Sequence, residues 1–93
     1  MHPGEVLREE FLIPYEMTSY ALAKALNVPR TRIERLEREE TAVTADTALR
    51  LARYFGTSAE FWLNLQSRFD LLSAARKNAD GIDKIARRAD KAA

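Results

Sequence analysis

The amino-acid sequence predicts a single all-α domain of five helices. Residues that favour helix, chiefly Ala, Leu, Arg and Glu, are abundant, whereas the 93 residues include only three Gly and three Pro. Apolar residues recur at helical spacing between short polar segments. A chain of this length can close one hydrophobic core but not two. We therefore expect one folded domain over residues 1–72 and a charged, Ala-rich, weakly helical tail over residues 73–93.

The composition argues against several classes of protein. There is no cysteine, so disulfides and thiolate metal sites are excluded. With a single histidine, no metal-ligand cluster and no glycine-rich phosphate loop, we expect no catalytic site, no metal and no cofactor. No apolar run approaches the roughly 18 residues that a membrane span needs, and the N-terminus lacks the apolar stretch of a signal peptide. We expect a cytoplasmic protein that does not enter a membrane.

The first two helices follow from apolar spacing and capping residues. A breaker cluster, HPG, occupies residues 2–4, and the apolar spacing after it predicts helix 1, which ends before Pro14. Thr18 is a suitable N-cap for helix 2, SYALAKAL, at residues 19–26. Asn27 tolerates the left-handed backbone conformation better than most residues, so helix 2 is expected to end there.

Helices 3 and 4 have signals of the same kind. Helix 3, RTRIERLER, covers residues 30–38 and has Pro29 in its first turn. Thr44 caps helix 4, ADTALRLARYF, and Gly56 is well placed to end it. The apolar residues that we expect helix 4 to turn inward are Leu49, Ala52 and Phe55.

Helix 5 carries more apolar residues than a small core can bury. Ser58 caps it, and the segment AEFWLNLQSRFDLL follows at residues 59–72. We assign Phe61 and Leu65 to the core. The apolar residues of helix 5 that the core cannot bury suggest an isologous dimer interface. Such a dimer would present two copies of helix 3 to DNA half-sites roughly 34 Å apart. The residues predicted at this interface are Trp62, Leu63 and Gln66.

Helices 2 and 3 have the arrangement of a helix-turn-helix, in which the second helix enters the major groove of DNA. Ile33 and Leu36 are the apolar anchors of helix 3. At 100° per residue, the face opposite these anchors carries Thr31, Arg35 and Arg38. Residues 19–38 contain five basic and two acidic side chains, although the net charge of the whole chain is only +1. A basic surface is therefore concentrated on this helix pair.

The chemistry of the side chains divides the predicted contacts with double-stranded DNA. Arginine can meet guanine O6 and N7 with two hydrogen bonds, so Arg30 and Arg35 are candidates for base contacts. Thr31 suits a thymine methyl group or a phosphate. Residues placed for phosphate contacts are Ser19, Arg32 and Arg38.

Three charged or titratable side chains have alternative interpretations. Glu34 either forms an i, i+4 ion pair with Arg38, which we favour, or accepts a hydrogen bond from cytosine N4. Glu37 lies near the core edge, where a partly buried salt bridge with Arg8 is one possibility and an exposed carboxylate the other. His2 is expected to be a terminal surface residue rather than a ligand or a base.

Four segments of the chain resemble one known family. They are HPGEVLREEFL, ALAKALNVPRTRI, TADTALRLARYFGTS and EFWLNLQ, and together they cover roughly residues 1–70. They are similar to the HigA-type antitoxins, also called virulence-associated protein I, within the phage-repressor-like helix-turn-helix proteins. The resemblance implies a five-helix, lambda-repressor-like domain that forms a homodimer and represses its own operon at a palindromic operator. It also implies neutralisation of a ribonuclease toxin encoded beside it.

The chain departs from the family just after helix 3. Family members usually have a glycine and then a basic residue there, whereas this chain has Glu39 and Glu40. Because glutamate disfavours a left-handed cap, we expect helix 3 to run a turn longer and the two acids to weaken DNA binding. The alternative functions are a protein-interaction module that binds little DNA, and a solitary repressor without a toxin.

Overall fold

The structure is a computed structural model that describes residues 1–88, and within that range all regular secondary structure is helical, with no β-strand. The first helix, α1, begins as an α-helix over Pro3–Val6 and continues as a π-helix over Leu7–Leu12. The all-α prediction is confirmed. The remaining helices are α2 (Ser19–Leu26), α3 (Arg30–Glu37), α4 (Ala45–Phe55), α5 (Ala59–Lys77) and α6 (Ala79–Asp83).

The predicted boundaries are confirmed at the starts of α2, α4 and α5 and at the ends of α2 and α4. Thr18, Thr44 and Ser58 each accept a hydrogen bond from the backbone N–H three residues later, at 3.0, 3.3 and 3.0 Å. These bonds satisfy N–H groups that the first turn of a helix leaves free. At the other end, Asn27 (φ 58°) and Gly56 (φ 75°) stop α2 and α4 in the left-handed conformation.

The N-terminus differs from the prediction, because residues 2–4 start a helix instead of breaking one. His2 is the N-cap, and its Nδ1 accepts a hydrogen bond from the backbone N–H of Gly4 at 2.9 Å. Pro3 takes the first helical position, where its missing N–H costs nothing. His2 is only 4% exposed, and its ring packs edge-on against that of Phe69 at a centroid distance of 4.7 Å. The expectation of a surface histidine was therefore wrong.

The hydrophobic core is one cluster of buried residues from α1 to α5 and from the segment between α3 and α4. Its buried members are Val6, Leu7, Leu12, Leu22, Ala23, Leu26, Ile33, Leu36, Val43, Ala48, Leu51 and Trp62. The predicted inward face of α4 was partly wrong, since Leu49 is 63% exposed. Thr47, Ala48 and Leu51 face inward instead, while Ala52 and Phe55 are half-buried.

Two of the three predicted interface residues on α5 belong to the core. Trp62 is 0% exposed, and its Nε1 donates a hydrogen bond to Oγ1 of Thr57 at 2.8 Å. Gln66 is 7% exposed and accepts the backbone N–H of Val43. Trp62 has no surface to bury against a second copy, so assigning it to an interface was wrong, whereas Gln66 keeps a small exposed fraction at a groove on the outward side of α5. Leu63 does lie at the surface, as does Phe61, which we had assigned to the core.

The C-terminal part of the described chain projects away from the core. Helix α5 runs without a break through residues 72 and 73, where the domain boundary was predicted, and every residue from 71 to 88 is exposed. The described chain measures 56 × 25 × 22 Å. The last part of the predicted tail, residues 89–93, lies outside the described residues. Among residues 1–88, no helix has the length and apolar character needed to cross a bilayer.

Candidate nucleic-acid interface

The α2–turn–α3 unit has the geometry that was predicted for a helix-turn-helix. The chain turns through Asn27, and the backbone N–H of Val28 donates to the carbonyl of Ala23 at 3.0 Å, closing the end of α2. Ala23 is buried where the two helices pack together. Ile33 and Leu36 are fully buried and fix α3 to the core. The roll of α3 about its own axis is therefore set by two aliphatic anchors.

The face of α3 opposite the anchors is exposed and basic. It carries Thr31, Arg35 and Arg38, all at the surface. Within residues 1–88, none of these three side chains takes part in a hydrogen bond or ion pair. Their donors are thus available to an external ligand, which is the property that a DNA-reading helix needs.

Arg30 is held loosely at the N-terminal end of the same helix. Its Nε lies 3.5 Å from Oε2 of Glu34, and its guanidinium carbon lies 5.9 Å from the centre of the Tyr20 ring. Glu34 is therefore paired with Arg30 and not with Arg38, so the predicted ion pair was wrong. An exposed i, i+4 pair of this kind is worth only a few tenths of a kcal/mol, about 0.3–0.5. Arg30 can exchange it for a base or a phosphate.

Arg32 points away from the exposed face and toward α4. Its Nη1 donates to Oδ2 of Asp46 at 2.6 Å, and Nε of Arg50 donates to the same oxygen at 3.0 Å. Arg50 also donates to the carbonyl of Leu26 at 2.8 Å, at the end of α2. The hydrogen bonds from Arg32 and then Arg50 lower the pKa of Asp46 below its ordinary value. This network ties α2, α3 and α4 together.

Ser19 is turned inward, although we predicted a phosphate contact for it. Its hydroxyl is buried and donates to Oε2 of Glu37 at 2.9 Å. Neither alternative for Glu37 is correct, because its partly buried carboxylate pairs with Ser19 and forms no salt bridge with Arg8. Arg8 does reach Glu37, but its Nη1 donates to the backbone carbonyl at 2.7 Å. The carboxylate and the carbonyl of Glu37 thus have different partners on different helices.

Helix α3 ends at Glu37, so the predicted extra turn does not exist. Glu39 adopts the left-handed conformation (φ 64°) that usually belongs to glycine. The N–H of Glu39 donates to the carbonyl of Leu36, and the N–H of Glu40 to that of Arg35, both at 2.9 Å. These two bonds form the Schellman arrangement, which satisfies the last carbonyls of the helix. Two backbone hydrogen bonds therefore accompany the unfavourable conformation of Glu39.

Sequence reasoning missed three residues that shape this surface. Tyr20 is exposed beside Arg30, and its position near the start of α2 was the available signal. Arg50 stands four residues after Asp46, a spacing that predicts their ion pair. Gly4 packs against α3, which no local pattern indicates. Within residues 1–88 there is no group of His, Asp or Glu side chains that could hold a metal ion.

Comparisons with known proteins agree with this geometry. The helix-turn-helix family matches residues 7–62. Virulence-associated protein I of Dichelobacter nodosus is 55% identical over 74 residues, covering 80% of this chain and 68% of that protein. Antitoxin HigA-1 of Vibrio cholerae is 44% identical over 68 residues, covering 73% of this chain and 64% of that protein. The chain thus spans about two thirds of the length of these two relatives.

A solved structure matches nearly the whole chain. Antitoxin HigA of Pseudomonas aeruginosa, determined with the higBA promoter, superposes with a TM-score of 0.92 at 43% identity. The match covers 96% of this chain and 97% of that one, including the projecting C-terminal part. The chain belongs to the helix-turn-helix family of the phage-repressor type, in the group that contains virulence-associated protein I and the HigA antitoxins.

Proposed function

We propose that this protein is a transcriptional autorepressor that binds a palindromic operator in double-stranded DNA as a dimer, with α3 in the major groove. The observation that carries the proposal is the exposed face of α3, where Thr31, Arg35 and Arg38 project outward from a helix fixed by two buried anchors. The Pseudomonas relative solved with its promoter supports the same use of the fold.

The side chains of this surface take different roles in the proposal. Arg35 reads a base, and Arg30 joins it after leaving Glu34. Thr31 meets a thymine methyl group or a phosphate, and Arg38 a phosphate. Ser19 and Arg32 act mainly by holding α3 in place, through Glu37 and Asp46. In the free protein Glu34 pairs with Arg30, and this pair breaks when Arg30 contacts DNA.

We place the dimer contact on the outward face of α5. Leu63 and Leu71 lie eight residues apart along it, with Ser67 and Ala74 as small residues on the same side. These four residues help to line a shallow groove of about 450 Å³ along the helix. Small residues beside the two leucines allow two copies of α5 to approach closely, as an isologous contact requires. A dimer formed in this way presents two copies of α3 to successive turns of DNA.

The second part of the proposal is that the chain neutralises a ribonuclease toxin encoded beside it. The support is its relatedness to a protein named antitoxin HigA-1 and to the Pseudomonas antitoxin HigA. Co-expression with the neighbouring open reading frame provides the test. Rescue of growth by this chain supports antitoxin function, whereas an adjacent gene without toxicity leaves a solitary repressor.

DNA binding is tested with the inverted repeat upstream of the gene. We expect Arg35→Ala to lose about 1–3 kcal/mol of binding free energy at that site, with relaxed preference for the base that it reads. The matched control is Arg53→Ala, which removes an exposed arginine from the far end of α4. If Arg35→Ala loses the same binding free energy on every DNA sequence tested, Arg35 contacts a phosphate and not a base. A salt-independent affinity, or no binding near 50 mM salt, would favour a protein-interaction module instead.

A further inference from the structure

We propose that α1 positions the C-terminal end of the recognition helix, and that Arg8 lets Glu39 occupy a glycine-like position without exposing its charge to DNA. The inference rests on the proposed DNA-binding function and extends it to residues outside the helix-turn-helix. Arg8 and Gly4 are positioning residues here, since neither lies on the exposed face of α3.

Gly4 brings α1 into direct contact with the end of α3. A Cβ atom at this position would lie 1.8 Å from the carbonyl oxygen of Leu36 and 3.0 Å from its carbonyl carbon. The obstacle is backbone, which cannot move aside as a flexible side chain can. The close approach therefore requires glycine. Arg8 stands one helical turn further along the same side of α1.

Arg8 extends this contact beyond the last turn of α3. Its Nη1 donates to the carbonyl of Glu37 at 2.7 Å, and its Nη2 lies 3.4 Å from Oε2 of Glu39. Its Nε donates to Oε2 of Glu9 at 3.0 Å, within α1. A cation at the C-terminal end of a helix interacts favourably with the free carbonyls there. These carboxylates, Glu9 first, raise the pKa of Arg8, so it stays charged.

Glu39 is the residue that needs this support. It is one of three non-glycine residues with positive φ within residues 1–88, and the only one of them that follows α3. An unpaired carboxylate there would stand beside the helix that approaches DNA and would repel phosphates. Pairing with Arg8 directs the carboxylate toward α1 and offsets its charge. One guanidinium thus holds the backbone end of α3 and neutralises the acid that follows it.

The test is a double-mutant cycle on operator binding, with variants Arg8→Met, Glu39→Gly and the two combined. We expect Arg8→Met to weaken operator binding about tenfold, because it frees the Glu39 carboxylate and loosens the end of α3. In the Glu39→Gly background the same substitution should cost about threefold or less, since only the bond to the Glu37 carbonyl is lost. Equal losses in both backgrounds would overturn the proposed coupling.

A matched control separates this effect from the general loss of a charge. Glu9→Gln removes the other carboxylate partner of Arg8, and we expect operator affinity to stay within about twofold. If Arg8→Met fails to fold, Glu39→Gln provides the second arm. It removes the charge and keeps the shape, and because Arg8 already offsets that charge, operator affinity should change by no more than about twofold at any salt concentration. A gain of about tenfold at low salt that disappears at high salt would mean that the Glu39 carboxylate reaches the DNA despite Arg8, and would contradict the charge-shielding role.

Amide hydrogen exchange of the free protein provides a readout that needs no DNA. Arg8→Met should speed exchange at the amides of Glu39 and Glu40, which close the end of α3, and leave the amides of α5 unchanged. Unchanged exchange at the end of α3 would overturn the positioning role. If the wild-type chain binds no operator, the proposed function fails, while the exchange measurement still decides whether α1 holds the recognition helix.

Discussion

The side-chain oxygen of Gln66 accepts a hydrogen bond of 2.8 Å from the backbone N–H of Val43. The bond joins the middle of α5 to the segment between α3 and α4, and both residues are buried. The amide of Gln66 also donates to Oδ1 of Asp70 at 2.9 Å. A buried polar residue of this small domain is therefore satisfied at both ends of its amide.

The first prediction concerns this bond. Gln66→Leu leaves the buried N–H of Val43 without an acceptor, so we expect a loss of about 1–3 kcal/mol in the free energy of unfolding. Urea denaturation followed by circular dichroism measures it. Asn64→Leu, on the exposed side of α5, is the control and should change stability by less than about 0.5 kcal/mol. A neutral Gln66→Leu variant would mean that water or a backbone shift replaces the acceptor.

Local signals made most of the fold predictable. Thr18, Thr44 and Ser58 cap helices through bonds to their own next turn, and Asn27 and Gly56 end helices through their own backbone angles. Such features depend on residues within one helical turn. The roll of α3 was predictable as well, because Ile33 and Leu36 are the only aliphatic residues of that helix.

Features that depend on distant contacts were not predictable. The apolar residues of α4 fit two neighbouring faces, and packing chose the face with Thr47, which leaves Leu49 outside. Glu39 adopts its left-handed conformation beside Arg8, 31 residues away. His2 caps α1 with an imidazole, which is not among the preferred capping side chains. In each case tertiary contacts decided what the local sequence left open.

The second prediction concerns pH and His2. Burial lowers the pKa of His2 below 6.5, and the nearby Glu39 and Asp70 oppose this shift only in part. The neutral ring is the form that accepts the Gly4 N–H through Nδ1. Because the folded state holds the proton less tightly than the unfolded state, stability is complete above about pH 6.5 and declines as the pH falls below that value.

Thermal denaturation between pH 5 and 7.5 measures this dependence. His2→Asn provides the control, since asparagine is a good N-cap that does not titrate in this range. We expect the variant to lose the part of the pH dependence that lies near pH 6. If the melting temperatures of the wild type and the variant depend on pH in the same way, a group other than His2 causes the loss of stability at acid pH.

The third prediction concerns Asp46, which bridges Arg32 of α3 and Arg50 of α4. Its pKa lies below 3.8, so the folded state is favoured above that value and loses the contribution as the pH falls through the folded pKa. Asp46→Asn should make the free energy of unfolding less dependent on pH below about pH 4. It should also free Arg32, so operator binding gains a steeper salt dependence if that guanidinium then reaches a phosphate.

Denaturant titrations from pH 2.5 to 5 and binding measurements at several salt concentrations check both parts. Arg53→Ala is again the matched control, because it lies on α4 outside the Asp46 network. A profile that stays equally steep below pH 4 in Asp46→Asn would place the acid sensitivity in other carboxylates. An unchanged salt slope would mean that Arg32 stays against the protein even without its partner.

The fourth prediction concerns the outward face of α5. Leu71 is 68% exposed and lies on the same side of the helix as Leu63 and Ser67. An exposed leucine on a projecting helix is stabilised when a second copy covers it. Leu71→Lys places a charge in that contact, so we expect a monomer by analytical ultracentrifugation at tens of micromolar. Because Leu71 contributes nothing to the buried core, the unfolding free energy extrapolated to low protein concentration should change little.

The same variant links the dimer to DNA binding. A monomer offers one α3, so affinity for the full inverted repeat should fall toward that for a single half-site, which itself stays unchanged. Leu49→Lys is the matched control, since Leu49 is similarly exposed but lies on α4. If Leu49→Lys gives the monomer and Leu71→Lys does not, the contact lies on a second groove, which residues of α2 and α4 including Ala25, Leu49 and Tyr54 line, and the proposed α5 interface is wrong.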